Sequence, residues 1–396
     1  MREIYLDHNA TTPLAPEVRE AMEPYLGGCY GNPSSVHRKG REAAAALETA
    51  RDEVRAALGG TDVDVVFTSG GTEANNLAIE GVRRARPGAR RHFVATAVEH
   101  ASVLESLRRL EADGCAVTLV PVDREGRAAE ADVLGALRDD TVLLSLIHVN
   151  NEVGTVHDVG ALAAAARRAC PRLLVHVDGV QALGKVPVRL DGVDLYSGSG
   201  HKMHGPKGIG FLAVRRGTAL KPLLCGGGHE GGLRSGTQNV AGAAGLGRAA
   251  TLAERERTRA MSALAPLRLR LRAGLAELDG RLNSPPDGVP HTTNVSFPGI
   301  PGAVMLQALE ERGVFVSTAS ACTTRKHARS HVLRAMGVPP EVAGCAIRIS
   351  LSRESTLQDV DEALEAIGQV VRELFVPARG RRGAAAAPTA SWTPSP

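Results

Sequence analysis

Short apolar runs alternate with longer amphipathic segments along most of this chain, and that alternation narrows its fold more than any other feature. Val63 to Phe67, His92 to Ala95, Ala116 to Val120, Val142 to His148, Leu173 to Val177 and Ile209 to Val214 read as buried strands. Between them, Glu42 to Leu58, Thr72 to Ala85, Ser102 to Asp113, Ala129 to Leu137 and Val159 to Cys170 carry helical spacing. Strands that are apolar throughout and separated by helices belong to a mostly parallel sheet covered on both faces. Residues 251–279 read as a long helix rich in Arg and Leu, a connector to a second unit. In that unit His291 to Phe297, Gly313 to Ser317 and Ala346 to Leu351 read as strands, and Gly302–Arg312 and Leu357–Leu374 as helices, which makes a smaller α+β domain. The expected organisation is an N-terminal segment at 1–15 packed on the small domain, a large α/β domain at 16–250, the small domain at 251–376, and a tail at 377–396. That tail is built of Arg, Ala, Pro and Ser and lacks the apolar content to fold.

Composition removes several function classes. With 396 residues, 43% hydrophobic and 23% charged, the chain can bury a large core as an ordinary soluble protein. A formal charge of +4, much of it from Arg379, Arg381 and Arg382, gives no basis for a nucleic-acid surface. No apolar stretch approaches the ~20 residues that span a bilayer, so no membrane association is expected and a cytoplasmic location is. The cysteines at 29, 115, 170, 225, 322 and 345 form no C-x-x-C pair, so they read as reduced thiols rather than a zinc or thioredoxin-type site.

Only six of the 47 basic residues are lysines, and Lys202 stands out among them. It sits in Tyr196-Ser-Gly-Ser-Gly-His-Lys-Met-His-Gly-Pro-Lys-Gly-Ile-Gly210, a small-residue turn between two apolar runs. Such a lysine reads either as a surface residue or as an amine of depressed pKa able to form a Schiff base. Asp178 ends the apolar run Leu173–Val177, where an acid reads either as a helix cap or as a group that protonates a pyridine nitrogen. Gln181 follows within reach of a ring substituent. Thr68-Ser-Gly-Gly-Thr-Glu-Ala-Asn75 runs from a strand through glycines into a helix, an anion site when free N–H groups meet the helix dipole, with the hydroxyl of Thr72 added. It matches neither a dinucleotide fingerprint nor a Walker A sequence. His100 could stack on a flat ring or shuttle a proton. Asn150-Asn151-Glu152 offers amide donors at the end of another strand. Schiff-base lysine, strand-end acid, phosphate turn and histidine all fall at C-terminal strand ends, and together they describe a pyridoxal 5′-phosphate site.

Two residues of the smaller unit add chemistry. Cys322 follows small polar residues and precedes Arg325-Lys326-His327-Ala328-Arg329, where cationic neighbours lower a thiol pKa and favour nucleophilic attack. His327 and His331 have i, i+4 spacing without further ligands, so no metal is expected. Arg348 lies inside an apolar strand and requires a carboxylate partner, from the protein or from a substrate.

Assembled, these motifs resemble a cysteine desulfurase of the pyridoxal phosphate-dependent class V aminotransferase superfamily, over about residues 3–375. The resemblance rests on nine motifs in the family's order: Leu6-Asp7-His8-Asn9-Ala10-Thr11-Thr12, Gly31-Asn32-Pro33-Ser34-Ser35, the Ser69–Asn76 turn, Asn150–Gly154, His176-Val177-Asp178, Ser199–Lys202, Arg234–Thr237, Ser320-Ala321-Cys322 and Arg348-Ile349-Ser350. It implies a fold-type I enzyme with a seven-stranded-type sheet, and a homodimer. It implies that Lys202 carries the cofactor, that Asp178 pairs with its ring nitrogen, that Gln181 contacts the ring hydroxyl, and that His100 stacks on the ring and handles protons. Gly71, Thr72, Ser199 and His201 would hold the phosphate, with Thr237 reaching in from a neighbouring subunit and Asn151 beside the ring. Asn32 and Arg348 would bind the carboxylate of L-cysteine, and Cys322 would take its sulfur as a persulfide for an acceptor protein, releasing alanine. The alternative in the same superfamily is a selenocysteine lyase or another lyase or aminotransferase. Two departures stand out. Gly179 occupies a position where relatives more often have alanine, which predicts looser packing there, and the segment after Cys322 is more basic than the family's usual one, which points to an acidic acceptor surface.

Overall fold

The computed structural model describes residues 2–60, 62–86, 91–318 and 330–374. Cys322, the basic segment 324–329 and the tail 377–396 lie outside the described residues.

In chain order the first elements are strand β1 (Ile4–Tyr5) and helices α1 (Pro16–Leu26) and α2 (Arg38–Ala57). The alternating region then gives β2 (Val63–Thr68), α3 (Gly71–Ala85), β3 (His92–Thr96), α4 (Ala101–Ala112), β4 (Ala116–Val120), α5 (Glu130–Ala136), β5 (Thr141–Ile147), α6 (Val159–Ala169), β6 (Leu174–Asp178), β7 (Leu195–Ser199) and β8 (Gly210–Arg215). Seven strands form one sheet in the order β2-β8-β7-β6-β5-β3-β4. Only β8 runs against its neighbours, pairing antiparallel with both β2 and β7. The other six strands therefore share a direction, and their C-terminal ends lie along one edge.

Alternate residues of these strands enter different cores, as the period of two requires. Val65, Phe67, Val94, Phe211 and Ala213 pack with α1, α2 and the start of a long seventh helix. Val66, Phe93, Ala95, Leu212 and Val214 pack with α3 and α4 on the opposite face. The sheet is thus buried on both sides, which is why its strands show no polar alternation.

The long helix is α7 (Val240–Glu277), capped by Asn239, whose side chain accepts from the Gly242 N–H. It starts well before the expected residue 251 because Val240 to Ala250 is Gly- and Ala-rich and hides its apolar face against α2. Its first turns belong to the large core and its later residues Leu264, Leu271 and Leu275 to a separate one. The remaining elements are β9 (Arg281–Leu282), β10 (Thr292–Ser296), α8 (Gly302–Glu310), β11 (Val314–Phe315), β12 (Ser317–Thr318), α9 (His331–Ala335), α10 (Pro340–Ala343), β13 (Ala346–Ser350) and α11 (Leu357–Leu374). Of these, Val332 and Leu333 of α9 and Ala343 of α10 pack in another cluster with Val98, Ile147 and Val153, whereas β9, β10, α8, β11, β13 and α11 contribute to that second core. Its antiparallel sheet has the order β12-β13-β10-β9. The expected strand Gly313–Ser317 is two strands, because β11 pairs with β1 while β12 pairs with β13. Ile4 and Leu6 are buried in this second core, and a bridge joins Asp7 to Ser350. The N-terminal segment thereby passes from the small sheet straight to the edge where the large sheet's strands end.

Candidate active site

That edge holds a cavity of about 230 Å³, whose walls include Gly71, Thr72, His100, Asn151, Asp178, Gln181, Ser199, His201, Lys202 and Arg348. Ten of the sequence-predicted residues thus meet in one place. Nine of them end or follow a strand of the large sheet: Gly71 and Thr72 follow β2, His100 follows β3, Asn151 follows β5, Asp178 and Gln181 end or follow β6, and Ser199, His201 and Lys202 end or follow β7; Arg348 comes from the middle of β13.

Lys202 lies in a 3-10 turn that follows β7, and its Nζ donates to the carbonyls of Asn9 and Ala10, each at 2.7 Å. The turn is held in place by Thr12, whose N–H and hydroxyl both donate to the His201 carbonyl at 3.0 and 2.9 Å. Asp178 is buried, and its carboxylate accepts from Asn75 Nδ2 at 2.8 Å and from the Val180 N–H at 3.0 Å. These donors aim the acid into the cavity. His100 caps α4, and its Nδ1 accepts the Ser102 N–H at 3.1 Å. A backbone N–H only donates, so the neutral ring carries its proton on Nε2. Burial lowers the pKa of this ring and Lys202 adds to that, against the opposing charge of Asp178. His201 is neutral for the same reasons, burial first and then the charges of Lys202, Lys207 and Lys185, which take it down to about 4.

Arg348 finds its carboxylate inside the protein. Its Nη2 donates to Asp7 Oδ1 at 2.7 Å and its Nη1 to the Asn151 carbonyl at 3.0 Å. Among the described residues its Nε is buried and unpartnered, as are Asn9 Oδ1 and Asn75 Oδ1, two further residues of the cavity wall. Buried polar atoms without partners mark a wall shaped for a polar ligand.

Two predicted residues stand elsewhere. Asn32 is exposed, with its Oδ1 accepting the Ser34 N–H at 2.9 Å. Thr237 is also exposed and lines a different cavity with Phe67, Ser69, Glu230 and Arg234. The packing expected at Gly179 is overturned. A methyl group there would lie 2.0 Å from Tyr196 Cζ, so the tyrosine ring already fills that space and the contact is tight rather than loose.

Sequence reasoning assigned no role to Asn9, Asn75, Ser102 or Asp7. Asn75 had a signal, since it lies three and four residues beyond Thr72 and Gly71 and so on the same face of α3. Asn9 stands in the Leu6–Thr12 motif, but nothing local gives its role: its place comes from a long-range crossing, in which its amide donates to Thr292 Oγ1 and its carbonyl accepts from Lys202 and Gln181.

This arrangement, a sheet with mostly parallel strands ending on a lysine, an acid and an anion-binding turn, agrees with sequence comparison. The profile of the class-V aminotransferases matches residues 4–363, and the chain belongs to that family. Among its relatives, the cysteine desulfurase IscS of Dictyoglomus turgidum is 42% identical, over 94% of this chain and 95% of that protein. The protein of the same name in Anaeromyxobacter dehalogenans is 44% identical, over 94% and 93%. A solved NifS-like protein superposes with a TM-score of 0.89 at 38% identity, covering 94% of this chain and all of the other. DndA of Streptomyces lividans does so with a TM-score of 0.74 at 36% identity, covering 88% and 99%. Among the described residues no helix is long and apolar enough to cross a membrane.

Proposed function

We propose that the protein is a cysteine desulfurase that binds pyridoxal 5′-phosphate in this cavity, converts L-cysteine to L-alanine, and passes the sulfur through Cys322 to an acceptor protein. The observation that carries the reading is the convergence of Lys202, Asp178, His100 and the start of α3 on one cavity.

The cavity wall suits the cofactor. The first N–H groups of α3 and the Thr72 and Ser199 hydroxyls supply donors for a phosphate, and the helix dipole adds to them. Asp178 offers a carboxylate fixed by two N–H donors to a protonated ring nitrogen. Lys202 is the amine that would hold the aldehyde. When bound, the cofactor acts as an electron sink for bonds at the substrate's α-carbon.

The chain's own groups supply the rest. His100 Nε2 is the ring nitrogen left to exchange a proton with whatever occupies the cavity. Arg348, held by Asp7 and the Asn151 carbonyl, keeps donors for the substrate carboxylate. The Cys322 thiolate attacks the substrate sulfur: an S–S bond forms, the C–S bond breaks, and the electron pair left on carbon takes up a proton to give alanine. Thr237 is exposed and away from its own chain's cavity, which supports a homodimer where Thr237 of the partner subunit completes the phosphate site.

Replacing Cys322 by alanine tests this directly. The variant should keep the visible absorbance of the bound cofactor and lose sulfide release in the presence of a reductant. Unchanged release, or a keto acid in place of alanine, would overturn the reading.

A further inference from the structure

Lys185 takes no part in the site as read so far, yet it sits one helical turn beyond Gln181. The chain turns after β6 through hydrogen bonds from Ala182 N–H to the Gly179 carbonyl at 2.8 Å and from Lys185 N–H to the Ala182 carbonyl at 2.9 Å. That turn brings positions 181 and 185 to the same side. Lys185 Nζ donates to Gln181 Oε1 at 2.6 Å. The other end of the same amide, Nε2, donates one hydrogen to the Asn9 carbonyl at 2.9 Å.

We propose that Lys185 is a positioning residue that clamps the Gln181 amide with its NH2 end toward the cofactor cavity. An amide can present either its oxygen or its nitrogen, and the two have nearly the same shape. An ammonium has only donors, so the atom facing Lys185 must be the oxygen. The Asn9 carbonyl has only lone pairs, so the atom facing it must be the nitrogen. Both neighbours therefore select one orientation, and it leaves a single N–H of Gln181 for the cavity, where Gln181 forms part of the wall. A ring phenolate is an acceptor, and an amide turned the other way would set oxygen against oxygen. Lys185 lines a second cavity of about 60 Å³ together with His8 and His291, and Lys202 borders both cavities. Burial and the nearby charges of Lys202 and Arg348 pull the Lys185 pKa down to about 7; the neutral amine still donates, and although it can also accept, the Asn9 carbonyl then keeps the NH2 end in place.

The inference rests on the proposed cofactor, and the experiment separates the two. Apo-protein is titrated with pyridoxal 5′-phosphate, reading the dissociation constant and the wavelength of the visible band at one fixed pH. Lys185→Met should weaken binding about five- to twentyfold and shift the band, as loss of one charge-assisted hydrogen bond does. Gln181→Ala should have a similar effect, the double variant should be no weaker than the worse single one within about twofold, and Lys185→Arg should recover most of the affinity. Gln181→Glu guards against a misfolded Lys185 variant: its carboxylate pairs with Lys185 but has no N–H for the ring or for the Asn9 carbonyl, so the protein should keep its far-UV circular dichroism, melt somewhat earlier and bind the cofactor more weakly. A Lys185→Met protein with unchanged affinity and band, or effects of the two singles that multiply, would overturn the clamp alone. Wild-type protein that takes up no pyridoxal 5′-phosphate would overturn the proposed function and the clamp with it.

Discussion

At the scale of single residues, Gly179 shows how a site can depend on an atom that is absent. Tyr196 is wholly buried, and its ring occupies the volume a Cβ would need. The Tyr196 hydroxyl stands 3.3 Å from His148 Nδ1, so the ring is tied at its far end and yields little. Gly179→Ala should therefore lower stability by about 1–3 kcal/mol through overpacking. Combining it with Tyr196→Leu should cost less than the sum of the two changes, which urea unfolding of the four proteins measures. Sequence alone predicted the opposite at Gly179, because a glycine says what its own side chain lacks and nothing about which distant ring has moved in. Lys202, Asp178 and His100 were legible for the converse reason. Each is a chemically distinctive group next to a strand with a strong apolar signal, and the topology of such sheets sends all strand ends to one crevice.

At the scale of elements, two anchors carry loops that the periodicity of the sequence does not describe. Glu230 is buried, makes a bidentate ion pair with Arg51 of α2 at 2.7 Å to each oxygen, and accepts the Phe67 N–H of β2 at 2.8 Å. It pins the segment that leads to Thr237. Glu230→Ala removes the bidentate partner of the half-buried Arg51, which keeps Glu48 at 3.0 Å, and leaves the Phe67 N–H without its acceptor; it should cost about 2–3 kcal/mol, read by chemical denaturation. A double variant that also replaces Arg51 with methionine should recover part of that loss. The second anchor is Ser330, which caps α9 by accepting the Leu333 N–H at 3.0 Å and donates to Glu152 Oε2 at 2.5 Å. It is the first described residue after the segment that carries Cys322. Ser330→Ala should destabilise the fold by about 1–2 kcal/mol, and it should slow the sulfur transfer proposed for Cys322 while leaving the visible band of the proposed cofactor in place. Long helices and central strands could be read from spacing because each spans several periods. The two-residue strands β1, β9, β11 and β12 hold no period at all, so only pairing with distant partners defines them.

At the scale of the molecule, many ionisable groups are buried, and their shifts set opposing pH limits. Burial pulls His148, His157 and His176 down to about 4, with the charge of His157 adding to the effect on His148. Their folded pKa lies below the unfolded value of about 6.5, so the stability they contribute is complete above that value and is lost as pH falls toward 4. Glu99 goes the other way. Burial raises it to about 8, and the stability tied to its proton is lost as pH rises from the unfolded value of about 4.5 through 8. Thermal unfolding should therefore weaken on both sides. Glu99→Gln should flatten the alkaline arm between about pH 6.5 and 8. His176→Gln, at a ring bonded to Ser145 and Ser197, should flatten the acid arm. Profiles indifferent to both substitutions would count against these assignments.

The path of the first dozen residues has a consequence for how the molecule is made. Ile4 and Leu6 donate to the carbonyls of Gly313 and Phe315, His8 donates to Ser350, and the next two carbonyls receive the Lys202 amine. A ribosome releases the N-terminal segment first, but the strands that seat it emerge almost last. Throughout synthesis the large sheet can form with its lysine turn unbraced and an apolar N-terminal stretch still in search of its groove. With the proposed cofactor site in that cavity, loading should wait until translation has passed Ser350, and a ribosome stalled upstream of that point should yield a folded but colourless nascent chain.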